Sequence, residues 1–581
     1  MIPMRSSSFL KFVTILLMSV VLAAWVGCED DHKVVPPYYN PVLGPEDNPE
    51  EEPGEEPGEQ PGENPGEGPG EEPGEDPGED PGEEPAEPPV LLEFGFTSQN
   101  NASYLSSDIT CVINEDLSVS YDSVIKTLNP MYTGRTLKPT FKTNEGNKVY
   151  SGDKEQYSGM SAQDFTKPVT YKVVNNAGES AEYTVSLDFT FTGLPIVVVH
   201  TENNAAITSK HTWVKATFSF MGGEEFDDIE TMDIEIAGRG NSTWLYQDKK
   251  PYKMKFSKKT SVMGIPKHKR WVLLANALDK TMLRNDVAFR LGQKTSVAWT
   301  PRGYHVELVL NGQHKGTYFL CEQIKVDEER VNITEMPAAS ELTPDDDITG
   351  GYLMEMDTYT PDDDETLFYS KYGYQNGKIN VKIKTPEAED LSESQLEYII
   401  KYFYAFESAV RSEDWLDEEK GYKNYIDVNS FVDLYLVSEL IGHTEWQHPK
   451  STYIYKDGNG GKLTFGPMWD YDWTTFTQST GWICKKALWY PYFFNDPEFV
   501  ALVKSRWTDL YPEFQAEIAY MQSMKSKLAE SVDKNFKIWD PSMPNAPNGE
   551  SNLTFEQSVD RMITKYRDRL NWLNNQIKDL K

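Results

Sequence analysis

The tetrapeptide Pro-Gly-Glu-x repeats without a break from Pro53 through Glu84, and no other stretch limits the folding of this chain more. Between Gly44 and Pro89 there are 19 acidic residues, no Lys or Arg, and almost no apolar side chains. Such a segment cannot bury enough surface to offset the entropy of ordering it. Recurrent Pro favours extended backbone, and like charges stretch it further. Residues 29–89 therefore read as a disordered linker, a stalk for the C-terminal part of the chain. The stalk carries about half of the formal net charge of −36, so the acidity is largely a linker property. That argues against nucleic acid as a partner.

Ahead of the stalk, Arg5 and Lys11 lie near an apolar run from Phe12 to Val26, which ends in Val26-Gly27-Cys28. A short apolar run behind basic residues is the pattern of a signal peptide, here residues 1–28. The small residue before Cys28 resembles a bacterial lipoprotein processing site. That implies cleavage before Cys28, lipid on Cys28, and a membrane anchor in the cell envelope. An ordinary signal peptide with an incidental Cys28 is the alternative. Glu29, Asp30 and Asp31 resemble the export signal of Bacteroidetes surface lipoproteins, which implies the outer membrane and a surface-exposed chain. The other cysteines, Cys111, Cys321 and Cys484, are widely spaced and odd in number. They have neither zinc-site spacing nor a disulfide framework.

About 490 residues come after the stalk, too many for one core, so two or three domains are expected. Residues 90–193 read as all-β. Leu91–Phe96, Thr170–Val174 and Glu182–Leu187 alternate apolar and polar residues, and Asn175–Glu179 joins the last two as a hairpin-like turn. Short strands at this spacing suggest a sandwich, and Phe165–Tyr171 with the final strand resembles immunoglobulin-like modules of bacterial surface proteins. A spacer or binding role is expected there.

Residues 194–581 change pattern partway along. Ile196–His200, Lys215–Phe220, Met232–Gly238, Lys249–Phe256, Arg270–Asn276, Tyr304–Leu310 and Gly316–Ile324 read as strands, with Asn311-Gly312 a strong hairpin turn. A helix over Lys280–Thr295 is predicted, with Asp279 as its N-cap. The small-residue turn Gly238–Trp244 precedes a strand in which Lys253 and Lys255 share one face. That pairing suits phosphate binding, and a solvated edge strand is the alternative. Helices are then predicted over Ser392–Val410, Asp427–Ile441, Pro497–Leu528 and Thr554–Leu580. A strand-rich lobe followed by a helical lobe is the order of parts in protein-kinase-like folds.

Near the end of the strand run Lys462–Phe465 lies Gly466-Pro467-Met468-Trp469-Asp470-Tyr471-Asp472-Trp473. Carboxylates at i and i+2 on a strand point to the same face. Two converging carboxylates are costly unless a cation sits between them, and Mg2+ is the simplest candidate. The alternative is a turn-capping Asp beside one that faces water.

Taken as a set, Arg239–Trp244, Lys249–Lys253, Gly316-x-Tyr318-x-x-x-Glu322, Glu439-Leu440-x-Gly442, Ser451–Tyr455 and Gly466-Pro467-x-Trp469-Asp470-Tyr471-Asp472 resemble the CotH kinase family, which includes spore coat protein H. The resemblance covers about residues 195–575. It implies an α+β chain with an atypical protein-kinase-like domain, preceded here by the immunoglobulin-like sandwich. It also implies ATP with Mg2+ or Mn2+ and transfer of phosphate to Ser or Thr hydroxyls. By the same resemblance Asp470 is the metal-binding aspartate and Asp472 its companion. Lys250, Lys253 or Lys255 would neutralise nucleotide phosphates, Arg239 would approach them, and Glu322 would partner the lysine. Glu445 stands where the family commonly has Asp as the base, and is one methylene longer. Lys450-Ser451 stands where many members have Asn-Asn, so Ser451 would be the replacement metal ligand. No kinase-like Gly-x-Gly-x-x-Gly loop is present.

Three functions remain open on the sequence. The first is an envelope-anchored phosphotransferase acting on protein or another hydroxyl-bearing acceptor. The second is a non-catalytic surface lipoprotein that binds glycan or protein, for which Trp469, Trp473, Trp482, Trp489, Tyr490 and Tyr492 offer aromatic faces. The third is a hydrolase with Asp470 and Glu445 as its acid/base pair, for which their separation in the chain fixes no distance.

Overall fold

The computed structural model describes residues 86–130, 136–358, 366–371, 379–543 and 547–581. Cys28, the signal segment and nearly all of the stalk lie outside the described residues. Glu87–Lys581 belong to one compact unit, a mixed α+β structure.

The first part is all-β. Leu91–Phe96 pairs with Ile109–Thr110 and Thr140–Thr143. A six-stranded sheet is centred on the hairpin of Val169–Val174 and Ser180–Val185, which the turn at Asn175–Glu179 connects as expected. Phe94 of the first sheet meets Tyr171 of the second with ring centroids 5.2 Å apart. These side chains share a core with Phe96, Phe165 and Tyr183.

The next seven strands close into a barrel, where the sequence suggested only a strand-rich lobe. Their order is Ile196–Thr201, Val214–Met221, Ile229–Gly238, Tyr252–Val262, Ile265–Leu274, Gln313–Glu322 and Gly303–Leu310. Closure comes from parallel pairing of the first with the last, Ile196 opposite Glu307. That pairing joins segments more than a hundred residues apart, so no local pattern reports it. Period-two alternation sorts the side chains. Leu273, Leu320, Met254 and Phe218 fill the barrel. Their neighbours Val272 and Phe319 face out into the larger core that the helices share. At the hairpin tip, Asn311 and Gly312 both take positive φ, 52° and 74°. Two such residues in a row are what a two-residue turn of matching twist requires.

The helix after the barrel's fifth strand spans Arg284–Gln293, shorter at its start than Lys280–Thr295. Met282 has φ 59°, which a continuous helix excludes. Asp279 instead closes the preceding turn, accepting from the backbone N–H groups of Thr281 and Arg284. A second sheet, unseen in the sequence for three of its strands, has the order Leu367–Ser370, Ile379–Thr385, Tyr352–Met356, Thr452–Lys456, Leu463–Phe465. Ser392 and Thr554 cap the helices Glu393–Val410 and Phe555–Lys578 with full capping boxes. Pro497–Ile538 runs ten residues past the predicted end at Leu528. Its last turns bury polar groups: Ser531 and Asn535 bond Thr317 of the barrel, so the apolar period that marks a core helix fades.

Candidate functional site

The helix Val428–Ile441 starts at Asp427, whose side chain accepts from Asn429 N–H, and stops at Gly442 with φ 70°. The chain then turns through Thr444–Gln447, a short 3-10 helix that carries Glu445. The buried Trp446 anchors the turn, stacked on Tyr490 at 5.4 Å. Glu445 is buried, with Lys450 Nζ at 3.9 Å and His443 Nε2 at 3.8 Å. Burial, and then the charge of Asp470, push its carboxyl up to about 8, while Lys450 and His448 pull the other way. Burial also depresses His443 to about 4, so this ring is neutral at ordinary pH. Neither of its nitrogens has a hydrogen-bond partner among the described residues.

Asp470 and Asp472 do not lie on a strand. The pairing ends at Phe465, so the period-two argument for a shared face does not apply. Asp470 instead takes φ 66° and is exposed, between two buried aromatic residues. Trp469 stacks on Phe289 at 5.8 Å, and Tyr471 N–H donates to Asn285 Oδ1 at 2.7 Å, so the helix Arg284–Gln293 grips the loop on both sides of Asp470. Ser451, also left-handed with φ 46°, donates from Oγ to Asp470 Oδ2 at 3.2 Å. Asp472 is half-buried. Desolvation, then Asp470, Asp279 and Glu445, push its carboxyl well above the usual range, against the pull of Arg284. Asp470 thus acts on both Glu445 and Asp472, although the backbone route to that arrangement differs from the one expected.

No group of three or more His, Cys, Asp or Glu side chains among the described residues is arranged to hold a metal. A divalent ion on Asp470 and Asp472 would take its remaining ligands from water and phosphate oxygen, as Mg2+ commonly does. Desolvation and then the repulsion of neighbouring carboxylates raise Asp472, and a bound cation would oppose both alongside Arg284.

The candidate cations separate into two groups. Arg239 leaves the barrel at Gly238, where a Cβ would sit 2.3 Å from the Trp244 ring, and places its guanidinium over Trp469 at 5.0 Å. Lys253 is half-buried over Trp213 at 5.0 Å. Desolvation and then the cations Arg239, Arg270, Lys325 and Lys210 hold its amine below the ordinary lysine range. The others are engaged elsewhere. Lys250 donates to Trp244 O at 2.7 Å. Lys255 pairs with Glu235 at 3.2 Å on the open face of the barrel. Glu322 binds Arg302 at 2.9 and 3.0 Å, with Arg330 at 3.6 Å, and so partners arginines and not a lysine.

A cleft of about 180 Å³ lies where barrel and second sheet meet, lined by Arg239, Gln323, Lys325, Leu353, Lys384, Tyr453 and Trp469 among others. Tyr453 belongs to the motif Ser451–Tyr455, whereas Gln323, Lys325 and Lys384 did not stand out in the sequence. Lys384 belongs to the alternating run Asn380-Val381-Lys382-Ile383-Lys384, a strand signal in plain view. Gln323 and Lys325 carry no motif; they line the cleft where the chain leaves the barrel strand Gln313–Glu322. Asp357, buried and paired with Lys382 at 3.1 Å, also pushes on Glu445. The three cysteines Cys111, Cys321 and Cys484 are buried and free. No helix among the described residues is long and apolar enough to cross a membrane.

A family model described as CotH kinase protein matches residues 236–573, and one described as SGBP, N-terminal matches residues 109–187. No curated protein matches the chain.

Proposed function

The chain belongs to the CotH kinase protein family, whose model spans more than half of it, and from that premise we propose that residues 194–581 transfer phosphate from ATP to Ser or Thr hydroxyls. One observation carries this reading: Asp470 acts on the raised carboxyls of both Glu445 and Asp472, and Arg239, which lines the cleft, lies over Trp469, the residue before Asp470. Phosphoryl transfer requires positioning and charge neutralisation more than covalent chemistry.

In this reading Asp470 and Asp472 hold Mg2+ or Mn2+, with Ser451 oriented on Asp470. The ion when bound neutralises charge on the phosphate oxygens. Lys253 and Arg239 bind phosphate from the barrel side. Glu445, as carboxylate, accepts the proton of the acceptor hydroxyl; with its carboxyl raised to about 8 it is a stronger base, and the fraction able to act grows as pH rises toward 8. The test is incubation of the purified protein with labelled ATP and Mg2+ or Mn2+. Label on the protein or on a casein-like acceptor, lost in Asp470→Ala, supports the reading. Absence of any nucleotide-dependent thermal shift at millimolar ATP overturns it.

A second reading is favoured by the match at residues 109–187: the chain works at a cell surface that handles glycans, held to the outer membrane by lipid on Cys28. The all-β region then serves as spacer or glycan-binding module, and the acceptor is a protein or glycan hydroxyl nearby. Retention on insoluble polysaccharide and loss of lipid labelling in Cys28→Ser are the measurements that decide it.

A further inference from the structure

Gln323 directly follows the barrel strand Gln313–Glu322, at the point where the chain leaves the barrel, and it lines the cleft beside Ile324 and Leu353. Its Oε1 is buried and has no hydrogen-bond partner among the described residues. A buried acceptor in that condition is destabilising unless something else supplies the donor. The backbone at this position is tied down by Arg330. Arg330 donates from Nη1 to Gln323 O and from Nη2 to Arg270 O at 2.8 Å, and its guanidinium lies 5.5 Å over Trp271. Ile324 and Leu353 are themselves buried and present apolar walls to the cleft. Arg239, which also lines the cleft, lies over Trp469, the residue before Asp470, and marks the phosphate side.

Resting on the reading of the cleft as a nucleotide site, we propose that the Gln323 carboxamide reads the adenine base of the phosphate donor, with the ring between Ile324 and Leu353. A carboxamide presents an acceptor and a donor side by side. Adenine presents the complement, the N6 amino donor beside the N7 acceptor, whereas guanine offers two acceptors on that edge. A base bound here gives Oε1 the donor that the protein withholds. The orphaned acceptor is thus an element of selectivity, kept at a cost to the fold. A guanine in the same place would face Oε1 with O6, leaving both buried acceptors unpaired.

The experiment compares the parent with Gln323→Met, which is close in size and lacks the polar pair, by titrating ATP, GTP and pyrophosphate, each with Mg2+, into the full chain. The parent is expected to bind ATP at least about tenfold more tightly than GTP. Gln323→Met should weaken ATP by about tenfold, bring ATP and GTP level, and leave pyrophosphate unchanged. Its melting temperature should equal or exceed the parent's, because the substitution removes an unpaired acceptor; a well-folded variant also keeps the comparison valid. Equal binding of ATP and GTP by the parent, with pyrophosphate still bound, overturns the base assignment and leaves the phosphate site intact. If none of the three binds, the nucleotide reading itself fails, and this assignment with it.

Discussion

Ser451 Oγ donates to Asp470 Oδ2 over 3.2 Å, and both residues hold left-handed backbone, φ 46° and 66°. Non-glycine residues adopt that region rarely, and at about 1 kcal/mol or more each they persist only where their surroundings enforce it. Here Trp469 on Phe289 and Tyr471 on Asn285 hold the Asp470 loop. Asp470 itself is exposed. Asp470→Ala should therefore leave the melting temperature nearly unchanged while lowering label transfer from ATP by about a hundredfold or more. Ser451→Ala should lower it far less. Equal losses in both variants would contradict the division of roles between ligand and orienting group.

Glu445 carries a pH signature. Its folded-state carboxyl is raised to about 8 by burial and Asp470. The folded protein then holds this proton more tightly than the unfolded chain, so the contribution to stability is complete below the ordinary carboxyl range and is lost as pH rises toward 8. Glu445→Gln keeps the shape and removes the titration. Relative to the parent the variant should gain stability between about pH 5 and pH 9, by a few kcal/mol at most. Urea melts across that range measure it, and parallel stability profiles would count against a raised Glu445.

The charges that act on Lys253 are those of Arg239, Arg270, Lys325 and Lys210, all cations. Removing its charge should relieve repulsion, so Lys253→Met should be at least as stable as the parent. It should also weaken pyrophosphate by about tenfold, the worth of one charge-assisted hydrogen bond of roughly 1.5 kcal/mol. Lys255→Met, which breaks only a surface pair with Glu235, should leave binding unchanged. Calorimetric titration separates the two.

Arg284 is buried between Asp279 and Glu550, bonds both, and donates from Nε to Thr475 O at 3.1 Å. It is also the cation that opposes the rise in Asp472. Arg284→Met leaves two buried carboxylates without their partner and should cost about 3–5 kcal/mol. The double variant Arg284→Met with Glu550→Gln should recover part of that loss. A chemical-denaturation series checks both statements.

Local signals in the sequence were legible because short-range physics produces them. Asn311-Gly312 forms its turn, Ser392, Asp427 and Thr554 cap their helices, and Lys253 alternates with buried Tyr252 and Met254. Each depends on residues within a few positions of one another. Where a local signal misled, a longer contact had overridden it. Asp279 looked like the start of a helix, and Met282 at φ 59° broke the run; its carbonyl accepts from Asn276 and contacts His305, far along the chain. Asp470 and Asp472 looked like strand neighbours, and the grip of Asn285 and Phe289 turned them into a loop.

The sequence by itself determined which groups the site has available: acidic residues at 445, 470 and 472, basic ones at 239 and 253, and the family motifs that tie them together. Only the tertiary structure decided which of them meet. The hairpin that pairs Gly303 with Cys321 gave Glu322 to Arg302, the chain beyond it brought Arg330 to the same carboxylate, the folded domain left Lys253 among cations, and Gln323 reached the cleft with its acceptor unpaired. Pairing and burial are set by the whole fold, because a charge's partner and its desolvation depend on distances that sequence separation does not encode.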